Sequence, residues 1–361
     1  MSSEVRRPTC FAPSQAAGRS IAAAMALAIA ACATDEGPTE PEVGSSLALT
    51  ASEGYTVRDL GTLGGSYSYA FGISPDSEVV GTSATTGGQD HAFLWRNGTM
   101  TDLGTLAGSE GSSAARGINR RGEVVGQSTT SDGQARAFRW RQGLMTDLGT
   151  LDASGSSGAN SINRLGQVVG YSYSSSAGDN HAFLWENGVM TDLGTLGGPS
   201  SQATDINGSG QVVGGSRVDF EHDDVSHAFL WQAGVMTDLG TLGGRTSWAQ
   251  GINEAGHIVG WSETAEGVAH AVLWKQGQII DLGSFRGGQT YAYAINAEGL
   301  KVGFWTGGDA GPLLWEKRRA MRLGTLGGPG GDAVDINNAG QIVGSSATTT
   351  GEIHAALWAP N

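Results

Sequence analysis

Five histidines have the chemistry of metal ligands or general bases: His91, His181, His227, His270 and His354. Each opens the same string, His-Ala-Phe-Leu-Trp or a variant of it. A metal site or catalytic base needs its groups at one point, and residues that recur once per repeat are held apart. Their spacing therefore predicts a structural bond to a neighbouring strand. Acids recur in the same fashion: Asp90, Asp132, Asp179, Glu266, Asp309 and Glu352 fall in successive loops, several beside glycine, as turns require. One loop is denser, with Asp219, Glu221, His222, Asp223 and Asp224. Calcium takes about six to eight oxygens. Asp219, Glu221, Asp223 and Asp224 are thus candidate calcium ligands, beside the plainer reading of a solvated charged loop. No other cofactor is implied.

The aromatic residues point to a different chemistry. Tyr171, Tyr173, Trp261, Phe304 and Trp305 follow a recurring Val-Val-Gly or its variant. Tyr67, Tyr69, Trp248, Tyr291 and Tyr293 follow a recurring Asp-Leu-Gly. Flat rings beside acids and amides suit sugars, which offer an apolar face and hydroxyls. The competing reading is that strand ends simply bury these rings. Familiar catalytic signatures are missing. Asp-Leu-Gly-Thr-Leu-Gly-Gly lacks the lysine and the following helix of a phosphate-binding loop. There is no Gly-x-Ser-x-Gly elbow and no His-Glu-x-x-His.

The elements that must position these residues come from one repeat. Asp-Leu-Gly begins at Asp59, Asp102, Asp147, Asp192, Asp238 and Asp281, with a degenerate copy at Arg322, in steps of 43, 45, 45, 46, 43 and 41 residues. Val-Val-Gly and the tryptophans Trp95, Trp140, Trp185, Trp231, Trp274, Trp315 and Trp358 keep the same period. Each unit reads as four short strands: Ala-x-x-Ile-Asn, Gln-Val-Val-Gly, His-Ala-Phe-Leu-Trp and Val-Met-Thr-Asp-Leu-Gly-Thr-Leu. Four-stranded units of this length predict an all-β, seven-bladed propeller of antiparallel blades. Tyr55 to Leu60 is a lone fourth strand, and the last unit stops after its third, at Trp358. Pairing the two closes the ring and removes both open edges. Loops after the first and third strands are alike, and those after the second and fourth vary. These sets lie on opposite faces, so the varied face is the expected binding surface.

Composition narrows the partners. Lys+Arg number 21 and Asp+Glu 35, a net charge of -14. That excludes a nucleic-acid partner, which needs clustered cations. Two cysteines exclude a disulfide scaffold. Arg6, Arg7 and Arg19 precede an apolar run from Ile21 to Ala31, too short to span a bilayer but suited to a signal peptide. The run ends in Ile29-Ala30-Ala31-Cys32, which resembles the bacterial lipobox. That resemblance implies cleavage after residue 31, lipidation of Cys32 and membrane anchoring; plain secretion is the alternative. The same resemblance, with Ala33 in place of an aspartate, implies the outer membrane or cell surface if the cell is Gram-negative. Residues 32–54 read as a flexible tether, and 55–361 as the propeller.

The units also carry a family resemblance. His-Ala-Phe-Leu-Trp, Asp-Leu-Gly-Thr-Leu-Gly-Gly and Ile-Asn-x-x-Gly-x-Val-Val-Gly together resemble the HAF repeat of extracellular bacterial proteins. Unit two departs with Arg136 for histidine, and unit six with Gly311-Pro312-Leu313-Leu314-Trp315. The resemblance implies a setting outside the cell and carries no chemistry. The expected function is a non-enzymatic, lipid-anchored scaffold of the cell envelope that binds a glycan or a surface protein. The rivals are a polysaccharide-active lyase or hydrolase with carboxylates near the axis, and a purely structural envelope or matrix protein. Near-identity of the units favours binding or structure, because one active site needs one unit to differ sharply.

Overall fold

The computed structural model describes residues 54–152, 155–222 and 225–361. They form seven four-stranded antiparallel sheets, each built from strands consecutive in the chain except at the closure. Blade 1 comprises Gly64–Ile73, Val79–Thr85, Asp90–Arg96 and Thr99–Asp102. Blades 2 to 6 repeat that order over residues 113–147, 157–192, 201–238, 243–281 and 290–322. Blade 7 takes Gly327–Ile336, Ile342–Thr348 and Ile353–Pro360, and its fourth strand is the N-terminal Tyr55–Asp59. Tyr55 pairs with Pro360 and Asp59 with Ala356. The seven-bladed ring and its closure are thus as the repeat predicts.

Sheets buried on both faces explain the paired valines. Val79 points with Ala70, Phe93 and Trp95 toward Val343, Ala355 and Leu357 of blade 7. Its neighbour Val80 points with Ala92 and Leu94 toward Ala115, Val124 and Phe138 of blade 2. Successive residues of a strand face opposite ways, so both must be apolar where both faces are covered. The tryptophans fill the same seams, as their recurrence predicts: Trp95, Trp185, Trp274, Trp315 and Trp358 are all buried.

The glycine of Val-Val-Gly has a separate cause. Each first strand carries a bulge, where one residue is left without a partner; in blade 3 it is Asn160, between Ala159 and Ser161. The bulge pushes a main-chain carbonyl against the second strand. A Cβ on Gly170 would run into the Gly158 carbonyl, and one on Gly126 into that of Ala114. Third and fourth strands turn through two residues of positive φ, such as Asn97 at 51° and Gly98 at 88°, the two-residue hairpin that matches strand twist.

Neighbouring blades are clipped by polar side chains. Ser113 on the first strand of blade 2 accepts from Ala92 N–H of blade 1 at 2.8 Å and donates to Gly104 O at 2.6 Å. Ser157, Ser201, Ser247 and Thr290 repeat this bond, and Ser68 makes it to blade 7. At the base, Asn119 Nδ2 donates to Asn163 O, and so on through Asn207, Asn253, Asn296 and Asn337 to Ser74 O. Each asparagine Oδ1 also accepts from its own turn, as Asn163 does from Leu165 N–H and Gln167 N–H. The same residue thus closes its own turn and joins the blades.

Candidate functional site

The repeated histidines do not converge. Nδ1 of His91, His181, His227 and His354 lies 2.7–2.8 Å from Asp102, Asp192, Asp238 and Asp59, and His270 lies 3.0 Å from Asp281. Each pair joins the third strand to the fourth within one blade, the neighbouring-strand bond expected of them. Where the sequence departs, the partner departs too. Arg136 Nε lies 3.9 Å from Asp147. In blade 6, Gly311 stands for histidine and Arg322 for aspartate, and Arg322 turns instead to Asp309 at 2.7 Å.

The acidic loop of blade 4 spends its carboxylate locally. Asp219 accepts from Glu221 N–H, His222 N–H and His222 Nδ1 at 2.8–3.1 Å. Asp223 and Asp224 lie outside the described residues, as does Cys32. Among the described residues no group of three or more histidines, cysteines or acids could hold a metal ion.

The first strands of successive blades touch one another around the ring, so they line its axis. On each of these strands the bulge residue and the residue two before it share one face. At the bulge stand Phe71, Arg116, Asn160, Thr204, Gln250, Tyr293 and Val334. Two residues earlier stand Tyr69, Ala114, Gly158, Gln202, Trp248, Tyr291 and Asp332. No two blades share the same pair, although their cores are nearly copies. The axial lining therefore differs from blade to blade where the cores do not.

It is also lopsided. On blade 1, Tyr67 and Tyr69 stand 5.8 Å apart, and Tyr69 stacks on Phe71 at 6.4 Å. On blade 6, Phe304 stacks between Tyr291 at 5.0 Å and Tyr293 at 5.5 Å, and Trp261 of blade 5 meets Tyr291 edge-on at 5.7 Å. Blade 7 lies between these two stacks and brings Asp332. Burial lifts the Asp332 carboxyl above its ordinary value, against hydrogen bonds from Ser345 N–H and Oγ–H. Tyr293 is raised well above the usual tyrosine range by burial first and then by the Asp332 charge, and Tyr69 is raised by the same two causes. Nearer the varied face, Tyr67 donates to Asp90 at 2.6 Å, which pushes its hydroxyl up to about 12. The far side, blades 3 and 4, offers Gly158, Asn160, Gln202 and Thr204.

Tyr67, Tyr69, Trp261, Tyr291, Tyr293 and Phe304 are thus brought to one arc. Trp248, the cross-strand partner of Trp261, turns its ring onto Gly215 of blade 4. Tyr171 lies over Gly158, where a Cβ would meet its ring at 2.7 Å, and its hydroxyl accepts from Gln127 Nε2 at 3.1 Å. Tyr173 stands exposed at the rim beside Gly155.

Trp305 corrects the expectation. It is 1% exposed and packs edge-on against Phe285 at 4.8 Å. Its position is that of Ser83, Ser128, Ser172, Ser216, Ser262 and Ser346 in the other blades, and it points into the core. Elsewhere that serine accepts a leucine N–H, as Ser83 does from Leu63 at 2.9 Å; blade 6 replaces the bond with two rings. Strand alternation carries the signal: in Val-Val-Gly-x-Ser the x faces the next blade, as Thr82 does, and the serine position faces the preceding one, as Trp305 does. Phe71, Arg116, Gln250 and Asp332 are axial residues absent from the sequence-based selection. Phe71, Arg116 and Gln250 occupy the unassigned x positions of the first strand.

No protein-family model and no curated protein matches the chain. Its fold is that of solved propellers. The oligogalacturonate lyase of Vibrio parahaemolyticus superposes with a TM-score of 0.52 at 8% identity, over 86% of this chain and 95% of that one. The acylaminoacyl peptidase of Pyrococcus horikoshii gives 0.52 at 11% identity, over 81% and 52%. A puromycin hydrolase gives 0.53 at 13%, over 79% and 50%. The chain spans about half the length of the last two. The class shared with these proteins is the β-propeller fold, and their activities stay their own.

Proposed function

We propose that the protein is a non-enzymatic saccharide-binding module of the bacterial envelope, tethered through lipid on Cys32 and belonging with the HAF-repeat proteins. The observation that carries the binding reading is the contrast between copied cores and an unrepeated axial lining. Repetition keeps what holds the ring together. Variation gathers on the first strands, with two aromatic stacks flanking a carboxylate. Rings spaced 5–6.4 Å apart present flat apolar faces, while Asp332 and Gln250 offer hydrogen bonds to hydroxyls. The tether and anchor rest on the Arg-led apolar run and Ile29-Ala30-Ala31-Cys32.

A glycan-array screen of the purified protein, run with calcium and with chelator, tests the reading. Saturable binding is expected, unaffected by chelator and weakened at least about tenfold, or roughly 1.4 kcal/mol, by Tyr291→Ala or Tyr69→Ala. Binding that depends on calcium would instead bring in the Asp219 loop. Release of reducing sugar ends would overturn the non-enzymatic reading, and an array without a hit would overturn the saccharide. Growth with labelled palmitate tests the anchor: label on the wild type and none on Cys32→Ala is the expected result.

A further inference from the structure

Arg116 is the one charged residue among the seven bulge positions. Its guanidinium carbon stands 5.3 Å from the centre of the Phe71 ring. Some arginines away from the axis find carboxylates: Arg96 pairs with Glu78, Arg121 and Arg141 with Glu123, and Arg322 with Asp309; Arg58 and Arg139 stand over the rings of Trp95 and Trp185 on the outer strands. Arg116 makes no such pair and no hydrogen bond among the described residues. Burial presses against its charge, yet a guanidinium stays protonated. It therefore keeps five N–H donors in a fixed planar fork at a part-buried position.

The groups around it suit an anion. Tyr171 reaches the same strand: its hydroxyl meets Gln127, whose cross-strand partner Ala114 lies two residues before Arg116 on the same face. Its hydroxyl oxygen accepts from Gln127 Nε2, which leaves the O–H free to donate. The acids of the axis do not answer the arginine. Asp205 and Asp335 sit one residue past the bulge and accept main-chain N–H groups, Asp205 from Ile252 and Asp335 from Ile73, both at 2.9 Å. Asp332 holds Ser345. From Arg116 the stack Phe71, Tyr69, Tyr67 leads toward the varied face.

We propose that Arg116, with the Tyr171 hydroxyl, recognises an oxyanion carried by the saccharide, a ring carboxylate or a sulfate ester, while the ring itself lies on the blade 1 stack. This rests on the saccharide reading above and names its class: acidic sugars. A planar fork meets a carboxylate or sulfate through two parallel bonds.

Calorimetry on the full chain tests it with three probes: an oligouronate, the same oligomer with its carboxyls reduced to alcohols, and an O-sulfated neutral oligomer. An acidic probe is expected to bind at least about tenfold tighter than the reduced one, and the better of the two acidic probes identifies the oxyanion. Arg116→Gln should erase that preference and leave the reduced oligomer within about twofold. Tyr171→Phe should weaken only the acidic probe, by about three- to tenfold. Arg116→Lys, which keeps charge but not the fork, should fall between. Thermal melts establish that each variant is folded. Equal affinity for acidic and reduced oligomers, or a preference that survives Arg116→Gln, would overturn the proposal and leave the saccharide reading standing. Failure of all three probes, with an array that is also blank, would sink the saccharide reading itself.

Discussion

His181 and Asp192 illustrate how a repeated pair titrates. The bond to Asp192 raises the His181 pKa against the opposing effect of burial. Asp192 is lowered by His181 and by Gly194 N–H, in spite of burial. The histidine contribution is present in full below its unfolded value, about 6.5, and fades as pH rises through the folded value. The aspartate contribution is present above its unfolded value, about 3.9, and is lost as pH falls through the depressed folded one. The pair therefore works hardest near pH 5. Its aspartate is 38% exposed, which screens the gain to about 0.5–1 kcal/mol. Urea unfolding of His181→Ala should show that loss at pH 5.5 and a smaller one at pH 8.5. Asp335 behaves oppositely to Asp192. Burial and the Asp205 charge push it up to about 6, so its contribution is full below about 3.9 and disappears as pH rises through 6. Asp335→Asn should flatten the fall in stability between those limits, measured as the melting temperature across pH 4 to 7.

Pairs of substitutions, more than single residues, define the elements of blades 6 and 7. Six blades carry alanine at the position of Ala92, and blade 6 carries Pro312. That alanine N–H is the donor of the inter-blade clip, which Ser113 accepts at 2.8 Å. Proline has no N–H, and the facing position on blade 7 is Gly331, with no hydroxyl to accept. Donor and acceptor are missing together, so no buried group is stranded. Pro312→Ala restores the residue of the other blades, yet it creates a buried N–H without a partner and should cost about 1–3 kcal/mol, read by denaturant unfolding. Ser113→Ala, which strands the Ala92 N–H, should cost a similar amount. These couplings also mark what the sequence could reveal. Four strands per unit follow from Val-Val-Gly and the tryptophans, because core burial repeats with the unit. A bond from each histidine to a neighbouring strand was legible for the same reason, though not its aspartate partner. The axial lining was legible only in part: Tyr69, Trp248, Tyr291 and Tyr293 stood out as aromatics, but Phe71, Arg116 and Asp332 did not, because they break the repeat and a bulge decides which face they take. Trp305 was misplaced because it follows Val-Gly as Trp261 does, one residue later, and one residue reverses the face of a strand.

The ring as a whole depends on its first described strand. Tyr55–Asp59 supplies the outer strand of blade 7 across nearly the whole chain length. It adds the His354–Asp59 bond at 2.8 Å, Leu60 N–H to Ala355 O at 3.0 Å, and Asn361 N–H to Gly54 O at 2.9 Å. Leu60 enters the core between blades 7 and 1 with Phe93, Trp95 and Leu357, and Tyr55 and Val57 pack against Trp358. Without residues 54–60 the third strand of blade 7 loses its partner and becomes an open edge that ends in an apolar run, Ala355-Ala356-Leu357-Trp358. An unpaired edge of that composition invites pairing between chains, while the intact ring leaves a monomer. Size exclusion with light scattering should therefore give a monomer for residues 54–361 and dimers or larger species for residues 61–361. Removing Leu60 alone, as Leu60→Ala, should cost about 2–4 kcal/mol through the cavity it leaves without changing the mass. A monomeric 61–361 of unchanged melting temperature would mean that blade 7 holds on three strands and that closure lies in the inter-blade clips alone. The two variants separate edge protection from core packing: a change of mass with the deletion only assigns oligomerisation to the edge, and a loss of stability in both assigns the seam between blades 7 and 1 to Leu60.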